Sequence, residues 1–241
     1  MNKLSDQYLI ELLQNYRIHT PKGLAQKLQT FYDLLITWNR KVNLTRLTGF
    51  EEFLYGHFLD SVMPFSYLPG TKGHRVLDVG TGPGFPGIPM KLVVPDLDLV
   101  LIDSEQKKIH FLEIVVSKMA LEGVEVLHAR GEQLGRLCPY REGFDYVVSR
   151  AVSSLNMMCE LCLPFVKTHG YMIAWKTSKQ LEEELDGADK AIQHLGGRIE
   201  RVQGYALPDD KGDRKLVMIK KCEETPSQYP RTMKAMRNRP L

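Results

Sequence analysis

Asp78-Val79-Gly80-Thr81-Gly82-Pro83-Gly84 sets a carboxylate two residues ahead of three alternate glycines, at the end of the apolar run Val76-Leu77. Such a run has strand character, glycines permit a tight turn and close approach of the backbone to a ligand, and Pro86 and Pro89 suit the first turn of a following helix. The stretch reads as strand, glycine turn, helix, with Asp78 at the carboxyl end of the strand, where open α/β sheets bind ligands. Two chemistries use this turn. The frame Gly80-x-Gly82-x-Gly84 with Asp78 suits S-adenosylmethionine (SAM), whose amino acid end is cationic. The dinucleotide pattern GxGxxG fails at Phe85 when read from Gly80, yet the frame Gly82 to Gly87 satisfies it, and Asp103 stands at a suitable distance for a ribose-binding acid in either case. The carboxylate at Asp78 favours SAM, because a pyrophosphate on a helix N-terminus is repelled by a negative neighbour.

The remaining chemistry belongs at neighbouring strand ends. Asp103 closes the run 98–103, where it can accept the ribose hydroxyls or merely cap a helix. Arg130-Gly131-Glu132 follows the next run, within reach of an adenine or as a surface turn. Ser149-Arg150-Ala151 ends a fourth; an arginine between Val147-Val148 and Ala151-Val152 is desolvated and needs a partner, which favours a working role beside the methyl group. This fourth run carries no Asn/Asp-Pro-Pro-aromatic stretch to hold an exocyclic amine, and Cys138-Pro139 is misplaced for attack on a pyrimidine. A target with its own lone pair, such as guanine N7, needs neither, because displacement at a sulfonium carbon requires alignment alone. Cys159-x-x-Cys162 has no second pair and lies among Leu155, Met158, Leu161 and Leu163 at helical spacing, so it reads as core thiols, and no metal is expected.

To gather these residues the chain must alternate strands and helices. Strand-like runs fall near 74–79, 98–103, 124–128, 144–149 and 170–175, with helical stretches between, the pattern of a parallel sheet covered on both faces. Two further runs, 198–206 and 214–220, are joined by a link too short for a crossover and form an antiparallel pair. Together they predict an α/β, Rossmann-like, class I SAM-dependent methyltransferase sheet of seven mostly parallel strands with an antiparallel last strand. The helix after Asp103 is predicted to take Ser104 as N-cap, to turn Ile109, Leu112, Val115, Val116 and Met119 to the sheet, and to leave Lys107 and Lys108 in solvent. Ahead of the sheet, apolar residues three and four apart predict helices over 4–16, from Leu24 to Trp38 and from Phe50 to Phe65, the last carrying His57, Asp60 and Ser61 either as core or as part of the site. The organisation is an N-terminal helical segment (1–70), a methyltransferase domain (71–221) and a polar, basic tail (222–241) for which no structure is predicted. The 241-residue chain has a formal net charge of +3, too mild to establish a nucleic acid partner. No apolar run reaches about 18 residues, so neither a membrane span nor a signal peptide is expected, and the cysteines read as reduced cytosolic thiols.

Beyond the turn, Trp38-Asn39-Arg40-Lys41-Val42-Asn43-Leu44-Thr45, His57-Phe58-Leu59-Asp60-Ser61, Asp78 to Pro89, Leu101-Ile102-Asp103-Ser104, Ser149-Arg150-Ala151, Lys176 and Tyr229-Pro230-Arg231 stand in the order of a known family. From about Leu24 to the C-terminus the chain resembles the bacterial RsmG family, also called glucose-inhibited division protein B. The resemblance implies a cytoplasmic, SAM-dependent guanine-N7 methyltransferase of 16S ribosomal RNA, acting on the 30S subunit or an assembly intermediate. It matches Gly80, Phe85, Gly131, Glu132 and Arg150 to cofactor contacts, alongside Asp78, Gly82, Gly84 and Asp103 of the cradle. It sets Lys176 and Arg231 towards RNA or the site, which makes Arg150 and Lys176 the candidate catalytic pair. Thr232 to Met236 departs from the glycine-containing stretch of relatives. Positive charge at Lys176, Arg214, Lys215, Arg231, Lys234, Arg237 and Arg239 is expected to hold RNA, since no acid follows Glu224, and the tail is expected to leave SAM affinity untouched. A non-catalytic RNA-binding module with a SAM-like cradle and an NAD(P)-linked dehydrogenase are the alternatives.

Overall fold

The computed structural model describes residues 4–42, 44–45, 49–68, 73–150, 153–208 and 213–241. Asn43, Ala151, the boundary at 70–71 and turn residues 209–212 lie outside the described residues. Helix α1 (Asp6–Gln14) starts at Ser5, whose hydroxyl accepts the Tyr8 N–H, and buries Leu9, Leu12 and Leu13. Helix α2 (Leu24–Val42) buries Leu24, Leu28, Phe31 and Leu35 at the expected spacing. The third helical run differs from a uniform helix: a wide, π-wound stretch, Glu52–Leu59, passes into one α-helical turn, α3 (Asp60–Val62), and then a tight 3-10 turn, Met63–Ser66. Apolar spacing does not distinguish these windings, although the wide one sets where His57 and Asp60 point.

From there strands and helices alternate: β1 (Arg75–Val79), α4 (Gly87–Val93), β2 (Asp98–Asp103), α5 (Gln106–Lys118), β3 (Val124–His128), α6 (Gly131–Leu134), β4 (Phe144–Arg150), α7 (Leu155–Cys162), β5 (Val166–Thr177), α8 (Ser178–His194), β6 (Gly197–Tyr205) and β7 (Arg214–Lys221). Among the described residues the strands form one seven-stranded sheet in the order β3-β2-β1-β4-β5-β7-β6, with β7 antiparallel to both neighbours. Successive strand residues face opposite layers. Val76, Leu99, Leu101, Val148, Ile173 and Met218 share one core with α1, α2, α4, α5 and the π-wound stretch. Leu77, Val100, Val147, Met172, Val217 and Ile219 share the other with α7 and α8. Cys159 and Cys162 are wholly buried in that second core, and burial pushes both thiols up.

Two expectations are corrected. Helix α5 is capped at Glu105 rather than Ser104, because Asp103 Oδ1 accepts the Glu105 N–H at 2.9 Å and carries the strand end one residue further. The tail is folded. Arg141 donates to the carbonyls of Gly135, Tyr229 and Thr225, and Arg136 to those of Gln228 and Pro230. Arg231 then meets the buried Glu160 bidentately at 2.7 and 2.6 Å, and a final helix, α9 (Met233–Asn238), buries Met236 in the second core. A polar segment is ordered here by distant arginines that satisfy its carbonyls, which its own composition does not reveal.

Gly87 opens α4 where a Cβ would lie 2.4 Å from Leu101 Cδ2 and 2.9 Å from Asp78 Oδ2. Gly87→Ala is expected to destabilise the fold by about 1–3 kcal/mol, the usual cost of overpacking; a denaturation midpoint equal to wild type would contradict this packing.

Candidate active site

The carboxyl ends of β1, β2 and β3 enclose a cleft of about 390 Å³ lined by Gly80, Asp103, Ala129, Arg130, Gly131 and Glu132, with Arg150 at one side. Gly80 takes a left-handed φ of 70°, which bares the backbone at the turn. Asp103 is clamped from behind: Oδ2 accepts from Gly82 N and Oδ1 from Glu105 N, both at 2.9 Å, with Lys108 Nζ 3.6 Å from Oδ2. Each carboxylate oxygen has two lone pairs, so the clamp orients Asp103 and leaves it able to accept ribose hydroxyls. Lys108, expected in solvent, is half-buried and lines this cleft.

Asp78 works differently from the expectation. It is fully buried and absent from the cleft lining, and its Oδ2 accepts from Thr81 Oγ1 at 2.7 Å and from Gly87 N at 2.8 Å. Burial pushes its carboxyl up to about 7. Because this carboxylate already occupies the start of α4, a dinucleotide pyrophosphate has no helix end to sit on, and the cleft fits SAM instead. Gly82, Gly84 and Phe85 likewise stand behind the lining, where they shape the loop.

Arg150, at the end of β4, is held from two sides. Its NH1 lies 2.8 Å from Asp60 Oδ2 and its NH2 2.9 Å from His57 Nδ1, while its guanidinium sits 5.4 Å from the Phe85 ring centroid. A guanidinium only donates, so Nδ1 accepts and His57 carries its proton on Nε2, facing Thr45 Oγ1 at 3.1 Å. Asn39 fixes Thr45 in turn, accepting its N–H at 2.8 Å and donating to its carbonyl at 2.9 Å. The His57 ring stacks on Phe85 at 4.3 Å. Burial, then the charges of Arg150 and Arg214, push the imidazole down to about 3, so it is neutral. Asp60, fully buried, also accepts from the Tyr205 hydroxyl and lies 3.6 Å from Arg214 NH1.

On the far side of Arg150 a second cleft of about 440 Å³ is lined by Trp175, Lys176, Thr177, Glu184 and Arg214, with Arg150 common to both. The Trp175 indole N–H donates to Asp60 O at 2.9 Å, which fixes the ring. Lys176 is buried and donates to Glu184 Oε2 at 2.7 Å and to Ser153 O at 2.8 Å. Arg214 Nε is buried with no hydrogen-bond partner among the described residues.

Residues 24–216 match the family described as GidB, rRNA small subunit methyltransferase G. The chain belongs to this family. The ribosomal RNA small subunit methyltransferase G of Lachnoclostridium phytofermentans is 43% identical over 92% of this chain and 91% of its own. That of a Thermoanaerobacter species is 40% identical over the whole of both chains. Among solved structures, a SAM-dependent methyltransferase from Aquifex aeolicus superimposes with a TM-score of 0.54 at 18% identity, covering 73% of this chain and 96% of that one. The fold is therefore the Rossmann-like class I methyltransferase fold, and the family's cofactor is SAM.

Within this family member, Gly80, Asp103, Gly131, Glu132 and Arg150 meet at the first cleft, and Lys176 and Arg214 meet Arg150 at the second. Lys215 is half-buried, 3.6 Å from Asp213, and Lys234 and Arg239 are exposed. Arg231 is turned inward onto Glu160, so its charge anchors the tail. Sequence reasoning missed that α9 brings Met233 and Arg237 to the first cleft, and no periodicity in the tail signals this. Because α9 lines the cleft, the effect of the tail on SAM affinity becomes a matter for test. Met233→Ala combined with Arg237→Ala is expected to weaken SAM binding at least about fivefold, near 1 kcal/mol; calorimetry showing unchanged affinity would make α9 a bystander.

His57 also carries a pH signature. Its folded pKa is depressed, so between about pH 6.5 and 3 the unfolded chain binds a proton that the folded one refuses, and stability falls as pH falls. His57→Gln is expected to lessen this acid sensitivity. Superimposable curves of stability against pH for the two proteins would contradict a neutral, buried imidazole.

Proposed function

We propose that this methyltransferase transfers the methyl group of SAM to N7 of a guanine in 16S ribosomal RNA, with the 30S subunit or an assembly intermediate as its partner, in the cytoplasm. The observation that carries the reading is the position of Arg150 between a cofactor cleft and a second cleft walled by donors. Guanine presents N7 and O6 as adjacent acceptors on one edge. Arg150, Lys176 and Arg214 wall the second cleft with cationic donors, and Lys176 uses two of its three donors on Glu184 and Ser153, so the walls suit that edge and not an amine. SAM, when bound, supplies a methyl group on a cationic sulfur. The protein's part is to align a lone pair with that carbon and to exclude water; no group is required to remove a proton, in keeping with a neutral His57 and with the engagement of Asp60 by arginine and tyrosine. Exposed Lys234 and Arg239, with Lys215, supply charge for the RNA backbone around this mouth.

Transfer of labelled methyl from SAM to unmodified 30S particles, naked 16S RNA and 70S ribosomes, followed by borohydride and aniline cleavage of the product RNA, tests this. Strand scission at one guanine is expected, as it marks N7 methylation; label in a base that resists cleavage would overturn the proposed atom. Arg150→Lys cannot reproduce the fork that meets Asp60 and His57 together. It is expected to lower kcat roughly ten- to hundredfold with little change in melting temperature, and normal turnover would remove Arg150 from the site.

A further inference from the structure

A third cavity, of about 460 Å³, lies away from both clefts, at the sheet edge beneath the N-terminal helices, where Tyr16, Arg17, Ser66, Tyr67, Arg201 and Gln203 line it. The lining holds two guanidinium groups, two phenols and no acid. Burial pushes both phenols up, so each keeps its proton. Tyr16 donates to Ala206 O at 3.3 Å, which ties the end of α1 to the end of β6, and Ser66 Oγ is buried without a partner among the described residues.

Arg17 is the second observation. Helix α1 ends with the N–H groups of Arg17 and Ile18 donating to the carbonyls of Gln14 and Leu13, both at 3.0 Å. This closure needs a left-handed residue and favours glycine, yet the chain places Arg17 there at φ 59°. A side chain kept against backbone preference at the rim of a cationic pocket points to use.

Strand β6 connects this pocket with the acceptor cleft. Arg201, Gln203 and Tyr205 alternate along one face, and Tyr205 holds Asp60. Four residues of strand place Arg201 roughly 13 Å from Tyr205, a span of a few nucleotides.

We propose that this pocket is a second RNA-docking site, which takes a phosphodiester and the adjoining unpaired base of the strand that carries the target nucleotide. Arg17 and Arg201 meet the phosphate, and Tyr16 and Tyr67 supply the aromatic surface on which single-stranded bases pack. The inference rests on the rRNA reading above.

The test uses full-length wild type, Arg17→Gly, Arg201→Glu and the double variant, with unmodified 30S subunits as methyl acceptor and naked 16S RNA in filter binding. The double variant is expected to raise KM for 30S about tenfold or more with a far smaller change in kcat, to leave the SAM dissociation constant unchanged, and to flatten the logarithmic salt dependence of RNA binding by roughly 0.7–0.9 per lost contact. Arg17→Gly relieves the left-handed backbone and is expected to keep or raise the melting temperature while raising KM, an outcome that a purely structural Arg17 cannot produce. Unchanged KM and salt slope, or a lowered melting temperature in Arg17→Gly, would overturn the proposal, as would loss on 30S with naked RNA binding intact, which would make the partner a ribosomal protein. Wild type that methylates no 30S or rRNA would instead bring down the rRNA reading and this inference with it.

Discussion

Asp60 is a carboxylate with no exposure to water, and the arrangement of the active site follows from what it needs. A buried charge is tolerated only when paired and hydrogen-bonded, and removing one partner of such a pair typically costs about 3–5 kcal/mol. Asp60 takes Arg150 from β4, the Tyr205 hydroxyl from β6 and the nearby Arg214 from β7, while its own carbonyl takes the Trp175 indole from β5. A single residue on α3 therefore joins the helical segment to four strands. It also makes Arg150 a fixed wall rather than a mobile cation, because one arm of the guanidinium is committed to Asp60 and another to His57.

The carboxylates of the site divide their work in the same way. Asp78 is spent on the turn, where Thr81 and Gly87 occupy one oxygen; Asp103 is clamped by two backbone N–H groups yet still lines the cleft at the strand ends. Glu184 and Glu160 hold cations, Lys176 in the second cleft and Arg231 at the root of α9. Positive charge along the second cleft is thus held in a fixed orientation, and preorganised dipoles and charges act most strongly where water is excluded. His57 completes the pattern as a neutral link: protonation would set a cation against Arg150 and Arg214, and burial forbids it.

Much of this was legible in the sequence, for physical reasons that also explain the gaps. The central strands β1, β2 and β4 are readable because two-sided burial demands continuous apolar runs, and the antiparallel end of the sheet because the link before β7 cannot cross over. The cradle is readable because Gly80 and its neighbours need backbone freedom that few residues have. The partners of Arg150 are not, since Asp60 lies 90 positions away and its direction depends on a π-wound stretch that has the same apolar spacing as an ordinary helix. The tail is misread for a related reason: Arg136, Arg141 and Glu160, all distant in sequence, order residues whose own composition suggests none. Lys108 shows the limit of surface reasoning, because a lysine on a polar helix face reaches back to the carboxylate at the strand end.

The central claim is that Asp60 acts on methyl transfer through Arg150. A double-mutant cycle on turnover with rRNA substrate, using Asp60→Asn, Arg150→Lys and the pair, measures that link directly. The result expected is strong non-additivity, with a coupling of about 1 kcal/mol or more and the pair little worse than Arg150→Lys alone. Additive losses within about 0.5 kcal/mol, measured on folded protein, would mean that Asp60 supports only the fold and that Arg150 is positioned by something else.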